Sequence, residues 1–419
     1  METSCDILVI GAGPAGTIAA SMAHQAGKKV IVVEKTTFPR FVIGESLLPT
    51  SMHHFEAAGF LNALEDFDFE KKYGALFIRD EEVALFDFSQ KFTKGWDWTY
   101  QAPRADFDKV MADEVVKMGV PLHYNTEVTS VEFNGTDSVT TIKHGDGKEE
   151  KIHAKFLIDA SGYGRVLPRF LGLDKPSTFP PKMATFAHMT DTHRYDPRVE
   201  HGRPGVQITF YVIEQELWLW VIPFSNGNTS IGIVGDPKYF DQDPNKDPKE
   251  IFAKYMALRP EVIERFADQE YIMEPRSITN YAISTLKMHG EGFAIAGNAT
   301  EFLDPVFSSG VGFATESGYK SALLAVKQLN GEKVDWEEEY EQHMRRGINV
   351  FRSYIAGWYN GDLQEIFFAP NENPEIKEKV CAVLAGYVWD TENPFVKKHE
   401  TALKTLANVI RLERKHAES

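Results

Sequence analysis

The chain has 419 residues, of which 45 are basic and 61 acidic, so its net charge at pH 7 is −16. This charge argues against nucleic acid or an anionic membrane surface as a partner. The apolar fraction of 43% is ordinary for a globular protein, and the length suffices for two packed units. Because no apolar stretch approaches the ~20 residues of a membrane-spanning helix, we expect no membrane span.

Only two cysteines are present, Cys5 and Cys381, and they share no motif. Isolated thiols predict a reduced, cytoplasmic protein without a disulfide framework, a CxxC redox pair or a cysteine-based zinc site. The first ten residues lack the basic segment of a secretory signal, so their apolar run is interpreted as a first strand.

The chain begins with a β-α-β pattern. Residues 7–10 and 30–33 are short apolar runs typical of buried strands. Residues 17–25 between them predict a helix that Gly27 can close.

The following part of the chain changes its pattern. Short strands are predicted at 73–78 and 83–88, and a helix is predicted within 101–119. Residues 155–162 then predict another buried strand with a turn at its end.

The middle of the chain, about 182–281, is rich in strand-forming sequence. Its apolar runs at 183–189, 206–213, 217–223 and 229–235 follow one another without helical periods between them. This order favours a mostly antiparallel sheet, distinct from the first, parallel unit.

The last third returns to the first pattern and then becomes helical. Residues 292–300 predict a strand and a turn, and the chain from Gly310 onwards predicts helices with aromatic residues on their apolar faces. The fold class is therefore α/β: a Rossmann-like domain interrupted by a mostly antiparallel β-sheet domain, with a helical C-terminal region. The predicted boundaries are 1–70, 101–180 and 282–330 for the first domain, 71–100 and 181–281 for the second, and 331–419 for the helical region.

The glycine-rich segment "GAGPAG" (11–16) follows a strand and opens a helix. Gly11 permits a tight turn, Gly13 lets the backbone approach a pyrophosphate, and Gly16 lets the helix pack closely on the strand. Glu34 ends the second strand, where it can accept hydrogen bonds from a ribose. With both strands, the helix and the acid in place, a dinucleotide site is favoured over a glycine-rich turn without a ligand. The residues predicted to contact the dinucleotide here are Gly11, Gly13, Pro14, Ala15, Gly16, Glu34 and Lys35.

FAD and NAD both fit this unit, so other segments must decide between them. No second GxGxxG stands in a β-α-β setting, and "GVGFAT" (310–315) is interpreted as a helix-entry turn. The chain therefore holds one dinucleotide. The segments "LIDASG" (157–162) and "GNATEFLDPVFSSGVGFA" (297–314) indicate that it is FAD.

These segments together resemble the flavoprotein monooxygenase superfamily with the para-hydroxybenzoate hydroxylase-like fold. Asp304 and Pro305 match its late motif, whereas Asn298 stands where the family usually has Asp. The asparagine carbonyl oxygen can still accept a ribityl hydrogen bond. Read alone, the segment could also be an ordinary strand, turn and capped helix. The further FAD contacts that the resemblance implies are Gly44, Glu45, Ser46, Val128, Asp159, Ala160, Gly162, Gly297, Asn298, Asp304, Gly310, Val311 and Gly312.

Within that superfamily the match is closer to flavin-dependent halogenases. "FPRFVIGESLLP" (38–49), "KKYGALF" (71–77) and "WLWVIP" (218–223) resemble segments of those enzymes. "DPVFSSG" (304–310) resembles the version found in enzymes acting on phenol, pyrrole or carrier-bound acyl groups. Flavoproteins similar to geranylgeranyl reductase share much of this framework, so these segments alone do not separate the two branches.

Arg40 and Arg104 lie on segments that resemble the family's flavin contacts. An arginine fork can bind a pyrophosphate through two parallel hydrogen bonds. The alternative is an exposed arginine that makes only weak ion pairs.

Lys72 is the predicted catalytic residue. The resemblance implies that this amine meets hypohalous acid and either forms a chloramine or holds the oxidant beside the substrate. Such chemistry needs an amine that burial has made less basic. The neighbouring Lys71 keeps the alternative open, because lysines before a strand are usually solvated.

Trp218 and Trp220 alternate along a predicted strand, so both indoles face one side. The resemblance implies a wall that keeps the substrate away from the flavin, and core packing is the alternative. Together with Pro305, Phe307 and Ser308, they form the predicted substrate site.

We therefore expect an FAD-dependent oxidoreductase of the halogenase or monooxygenase type, acting with reduced flavin and O2 on an aromatic or carrier-bound substrate. No NAD(P)H domain is visible, so a separate flavin reductase is an expected partner. One alternative is a reductase or dehydrogenase of the prenyl-reductase type acting on a polyene, and another is a non-catalytic, carrier-docking flavoprotein. No metal site is predicted, because the thirteen histidines show no metal-binding spacing.

Overall fold

The computed structural model describes residues 2–194, 207–240 and 247–417. The first residue of the strand predicted at 206–213 and two parts of the predicted substrate domain lie outside these ranges. The strands are β1 Glu2–Ile10, β2 Val30–Val33, β3 Glu70–Lys72, β4 Gly74–Arg79, β5 Glu82–Asp87, β6 Thr99–Gln101, β7 Leu122–His123, β8 Thr126–Asn134, β9 Asp137–His144, β10 Glu149–Asp159, β11 Asp174–Lys175, β12 Met183–Thr190, β13 Thr209–Glu214, β14 Leu217–Pro223, β15 Asn228–Gly235, β16 Tyr271–Thr279, β17 Ser284–Thr285, β18 His289–Gly290 and β19 Phe293–Ile295.

Helices form the other layers, and the last six α-helices of the described ranges lie in the C-terminal third of the chain. The α-helices are α1 Pro14–Gln25, α2 Thr50–Ala57, α3 Leu61–Asp66, α4 Arg104–Lys117, α5 Val166–Phe170, α6 Pro248–Met256, α7 Pro260–Phe266, α8 Ser309–Leu329, α9 His343–Tyr359, α10 Asp362–Phe367, α11 Pro374–Leu384, α12 Pro394–Lys397 and α13 His399–Ala417. A π-helical turn, Glu337–Gln342, precedes α9.

The first sheet has eight strands and a parallel centre. Strand β1 pairs in parallel with β2 and β10, and the parallel pairing continues from β2 to β7 and from β10 to β19. Ile7, Leu8 and Val9 are fully buried because helices cover one face of the sheet and a hairpin covers the other. This is the parallel unit that the β-α-β pattern predicts.

The second sheet has seven strands in the order β16-β12-β15-β14-β13-β4-β5. Its neighbours are antiparallel except for the parallel pair β13–β4. The predicted α/β class with a mostly antiparallel second sheet and a helical C-terminal region is confirmed. The domain boundaries stay predictions.

Strand β14 is buried on both faces. Trp218 and Trp220 belong to the core that faces the first sheet, with ring centroids 6.0 Å apart. Leu219 and Val221 face the opposite way and pack in the cluster that includes α6 and α7. These two helices are not predicted from the sequence. Asp247 caps the first of them by accepting a hydrogen bond from the Lys249 N–H, and a capping aspartate is a sequence signal for a helix start.

The hairpin β8–β9 was also missed. Its Val128 and Ile142 pack against Leu8 and Ile31 on the outer face of the first sheet. Many of its other side chains are exposed or half-buried, so its apolar pattern is weak in the sequence.

Helices α1 and α8 pack with their backbones in close approach. An ideal Cβ at Gly318 would lie 2.2 Å from the carbonyl oxygen of Ala15, a distance that real Cβ atoms do not show. Glycine at this position therefore sets how closely the two helices approach.

A buried carboxylate joins α8 to two other helices. Glu316 lies between His54 of α2, at 2.7 Å, and His343 of α9, at 2.5 Å. Burial alone would raise the pKa of Glu316, but the hydrogen bonds with His343 and His54 and their charges lower it to about 2.

We expect Gly318→Ala to lower the free energy of unfolding by about 1–3 kcal/mol, because the added methyl group overpacks the contact with Ala15. Gly312→Ala is the matched control in the same helix: its nearest neighbour would lie 3.7 Å away, in ordinary contact. Urea unfolding of the two variants measures the difference. Equal stability of both would contradict this account of the helix contact.

Glu316 also predicts acid sensitivity. Because its pKa is lowered by folding, its ionised form stabilises the protein above the unfolded pKa near 4.5, and this stabilisation is lost as pH falls towards 2. The full contribution is about 3 kcal/mol. The gap in unfolding free energy between the wild type and Glu316→Gln should therefore narrow when urea titrations move from pH 6 to pH 3. A constant gap would show that Glu316 has no such role.

Candidate functional site

The glycine-rich turn after β1 has the geometry that its sequence predicts. Gly11 has a φ of +99°, and a Cβ there would lie 2.5 Å from the Ala160 carbonyl oxygen. A Cβ at Gly16 would lie 1.9 Å from the Gly11 carbonyl oxygen. Glycine at position 16 therefore allows the turn to pack against the start of the helix. At Gly13 the nearest atom would be Arg40 Nη2 at 3.6 Å, which leaves the backbone open to a ligand.

Glu34 lies at the end of β2, beside this turn, and is almost fully buried. Its Oε2 accepts a hydrogen bond from the Ala12 N–H at 3.0 Å, and its Oε1 accepts from the N–H and hydroxyl of Thr36. Because Oε2 accepts only one of these hydrogen bonds, it keeps a second lone pair that can accept from a ribose.

Two helix N-termini meet at the same cavity. Helix α1 begins at Pro14 and helix α8 begins at Ser309, and neither has a side-chain cap. Gly13, Ser308 and Gly310 line the cavity. Uncapped N–H groups and the positive ends of the helix dipoles therefore favour a ligand with negative charge.

An ion-pair network lies behind the loop at Gly44. Arg104 donates from Nε and Nη2 to the two oxygens of Asp108, at 2.8 and 3.0 Å, and from Nη1 to the carbonyl of Ile43. Arg40 donates to the same Asp108 at 3.2 Å. The fork of Arg104 is thus occupied by Asp108, and Arg40, 24% exposed, keeps more free N–H groups towards the cavity.

A cavity of about 480 Å³ connects these features. It extends from Glu34 and the glycine-rich turn to the second sheet, where Phe210, Trp218 and Trp220 line it. The predicted site residues in its wall are Gly11, Gly13, Pro14, Ala15, Glu34, Lys35, Arg40, Gly44, Glu45, Ser46, Arg104, Val128, Ala160, Gly162, Trp218, Trp220, Gly297, Asn298, Pro305, Ser308, Gly310 and Val311.

Six predicted residues do not line this cavity: Gly16, Lys72, Asp159, Asp304, Phe307 and Gly312. Asp159 is fully buried, and its carboxylate accepts hydrogen bonds from the N–H groups of Ser161 and Leu167. It therefore shapes the turn whose Ala160 and Gly162 do line the cavity.

Asp304 faces a second cavity of about 170 Å³, which Lys182 also lines. Its carboxylate accepts hydrogen bonds from the Val306 N–H at 3.0 Å and from the hydroxyls of Tyr359 and Tyr281 at 3.0 and 3.4 Å. Burial raises the pKa of Asp304 to about 6. Asp304 thus fixes the turn at Pro305, which reaches the large cavity.

Lys72 is buried at the end of β3. Its Nζ donates to Ser46 Oγ and to the Leu47 carbonyl, both at 2.8 Å. Burial lowers the pKa of Lys72 to about 7, so a large share of this amine is neutral at physiological pH. Ser46 lines the large cavity, so the amine lies directly behind the cavity wall.

Phe307 packs in an aromatic cluster behind the turn at Pro305. Its ring centroid lies 5.9 Å from Trp358 and 6.4 Å from both Tyr354 and Phe367. Tyr354 Oη and Trp358 Nε1 are buried without a hydrogen-bond partner in the described part of the chain. Two donors without acceptors are a specific feature of this region.

One group of side chains has metal-ligand character. The ligand atoms of His289, Glu337 and Glu341 lie within 4.8 Å of one another. Arg345 and the Met288 N–H already donate to Glu341, so the group is an ion-pair cluster, and none of its three members lines the large cavity. The absence of a metal site stays a prediction.

These features fit FAD. The open backbone at Gly13 and the N-terminus of α1 suit a pyrophosphate, and Glu34 suits the adenosine ribose. The same cavity continues past Asn298 and the N-terminus of α8 to the tryptophan pair, which leaves room for a second ring system.

The model of the FAD binding domain family matches residues 4–343. The chain belongs to this family. It is an FAD-dependent oxidoreductase of the halogenase-like branch of the flavoprotein monooxygenases, and FAD is its cofactor.

Three similar proteins match the chain over almost its whole length. A 1H-pyrrole-2-carbonyl-[peptidyl-carrier protein] brominase of Pseudoalteromonas luteoviolacea is 28% identical over 396 residues, 93% of each chain. A crystal structure of a flavoprotein/dehydrogenase from Cytophaga hutchinsonii is 52% identical, with a TM-score of 0.94, over 98% of this chain and 100% of that one. The flavin-dependent brominase Bmp2 is 25% identical, with a TM-score of 0.82, over 99% of each chain.

Several site residues were missed in the sequence. Asp108 organises both arginines, and its spacing of four from Arg104 on a helix was the available signal. Tyr163, Phe170 and Phe210 line the cavity, but nothing in the sequence near them distinguishes a cavity wall from a core. No helix in the described ranges is long and apolar enough to cross a membrane.

We expect Glu34→Gln to weaken FAD binding about 10- to 100-fold, because a charged acceptor facing the ribose is lost. Glu127→Gln is the control, since Glu127 also lines the cavity but is half exposed and pairs with Lys35 at the surface. Titration of apoprotein with FAD, followed by flavin fluorescence, measures both affinities. An unchanged affinity in Glu34→Gln would remove Glu34 from the cofactor site.

Proposed function

We propose that the protein uses reduced FAD, O2 and a halide ion to halogenate an electron-rich aromatic substrate, and that Lys72 carries or holds the oxidised halogen. The observation that carries the proposal is the buried Lys72 amine, which is bonded to a wall residue of the FAD cavity. The FAD-dependent halogenase or monooxygenase type is common to the family. The reaction, the substrate and the residue roles are the proposal.

When bound and reduced, FAD supplies with O2 the oxidation of halide to hypohalous acid. The chain's own part then begins at Lys72. A neutral amine can take the halogen from hypohalous acid with release of water, and the aromatic carbon then takes the halogen while its proton leaves. Burial favours this state, because it lowers the pKa of Lys72 to about 7.

The aromatic cluster around Phe307 supports an aromatic substrate. The ring centroid of Trp358 lies 5.6 Å from that of Phe77 and 5.9 Å from that of Phe307. The unpaired donors of Tyr354 and Trp358 suit an acceptor atom on the substrate. A carrier-bound pyrrole is the substrate named for the brominase relative, and a free aromatic molecule is the alternative for this chain.

The tryptophan pair supports separation of substrate from cofactor. Trp218 and Trp220 line the cavity from the second sheet, and Trp220 Nε1 donates to Ser230 Oγ at 3.0 Å. Rings fixed in this way would keep a bulky substrate from reaching FAD directly. A separate flavin reductase as the electron donor and a cytoplasmic location stay predictions.

The test is turnover with reduced FAD, O2, bromide or chloride, and a panel of phenols and pyrroles, free and carrier-bound. Wild type should give halogenated product. The turnover rate of Lys72→Ala should be at least about 100-fold lower, since the halogen carrier is removed. The rate should rise as pH passes through 7, because the neutral amine forms there. Mass spectrometry detects the product.

Lys71→Ala is the matched control, because Lys71 is exposed and its ammonium lies over the Trp98 ring. It should keep the wild-type rate. A Lys72→Ala variant that binds FAD and halogenates normally would refute the role of Lys72, and no halide-dependent product from the whole panel would refute halogenation.

A specific observation favours a second function, a dehydrogenase or reductase acting on an apolar alkene. Lys72 does not line the large cavity, whereas Ile208, Phe210 and Ile222 give the sheet end of that cavity an apolar wall. A polyene could therefore lie next to FAD without reaching Lys72. Anaerobic reduction of an alkene by the reduced protein, unaffected by Lys72→Ala, would establish this function over halogenation.

A further inference from the structure

A histidine and a glutamate form a close pair between the two sheets. His188 Nε2 lies 2.6 Å from Glu45 Oε1. Glu45 belongs to the loop that follows β2, and His188 belongs to β12 of the second sheet. Their side chains are 4% and 14% exposed, so the pair is largely shielded from water.

One member of the pair, Glu45, belongs to the wall of the large cavity. Glu45 lines the cavity between Gly44 and Ser46. A Cβ at Gly44 would lie 3.7 Å from Val311 in the first turn of α8, and Ser46 holds Lys72. The bond to His188 joins Glu45 to the second sheet, whose Trp218 and Trp220 line the same cavity. We expect this part of the cavity to take the FAD ring, since Glu34 suits the adenosine ribose.

The surroundings of His188 leave Glu45 as its direct charged partner. The rings of Phe41 and Phe224 approach the imidazole edgewise, with centroids 5.7 and 5.4 Å away. The other charged groups on the neighbouring elements have partners of their own or are exposed. Arg40 pairs with Asp108, and Glu274 pairs with Lys249. Arg194 contacts the Phe224 carbonyl, Asp191 and Glu70, and Arg276 is exposed.

We propose that Glu45 and His188 form a proton-carrying pair that sets the charge next to the FAD ring. Glu45 presents its carboxylate to the cavity, and His188 positions that carboxylate and binds or releases one proton. With a neutral imidazole the pair carries a charge of −1, and with a bound proton it is neutral. The proton comes from water, which the partly exposed imidazole can reach.

The sign of the effect follows from electrostatics. Reduction adds electrons to FAD, so a negative charge beside the ring disfavours the reduced form. Protonation of His188 removes that charge and raises the reduction potential. A comparison of potentials at several pH values therefore detects the effect.

The experiment is a redox titration of FAD-bound wild type and His188→Gln from pH 5 to pH 8, with dithionite as reductant. Glutamine can still bond to Glu45 but does not titrate. The wild-type potential should rise relative to that of His188→Gln as pH is lowered from 8 to 5. The contributions of FAD itself and of Lys72 are present in both proteins and cancel in the difference. Parallel curves over the whole range would overturn the proposal.

His193→Gln is the matched control. His193 lies 3.1 Å from Asp268 in another histidine–carboxylate pair, which is exposed and does not line the cavity. Its potential should follow that of the wild type at every pH. A His193→Gln curve that separates from the wild type as the His188→Gln curve does would refute a role specific to the pair at the cavity.

Glu45→Gln provides an independent check if His188→Gln does not fold. It removes the negative charge at every pH, so its potential should exceed that of the wild type at pH 8, and equality there would refute the proposal. The titration needs neither halide nor an organic substrate. Its result therefore stands apart from the test of halogenation, which can fail while the potential still responds to His188.

Discussion

The close approach of helices α1 and α8 is the constraint on which the site depends. Because Gly318 lets the backbone of α8 approach Ala15, the two helices lie side by side and their N-termini point to one cavity. We expect one terminus to bind the pyrophosphate and the other to lie near the flavin ring. A larger residue at this contact would separate the two termini, and the glycine-rich turn alone could not hold both ends of the cofactor.

Local patterns predicted much of the fold and the dinucleotide end of the site. The turn at Gly11–Gly16, the acid Glu34 and the alternating Trp218 and Trp220 follow rules of spacing that operate within one segment. His188 and Tyr359 could not be found in this way, since their partners, Glu45 and Asp304, lie 143 and 55 positions away along the chain. Helices α6 and α7 are not predicted because their apolar residues pack on one face of the second sheet, and this face forms only when distant strands come together.

The loop Gly44–Ser46 connects the cofactor to the rest of the chemistry. Its three residues face three different structures: the arginine network, the second sheet through Glu45, and the buried amine of Lys72 through Ser46. A small displacement of this loop would therefore move the Glu45 carboxylate, the cavity wall at Gly44 and the hydrogen bond that holds the Lys72 amine.

The pair of histidines around Glu316 has a consequence for the modular use of this fold. The two imidazoles come from sequence positions almost 300 residues apart, one near the FAD turn and one in the helical C-terminal region. A chimera that exchanges the C-terminal helices with those of another flavoprotein would leave half of this carboxylate without a partner inside the core. The C-terminal helices therefore complete the buried contacts of Glu316, and an exchanged region needs a histidine at the position of His343.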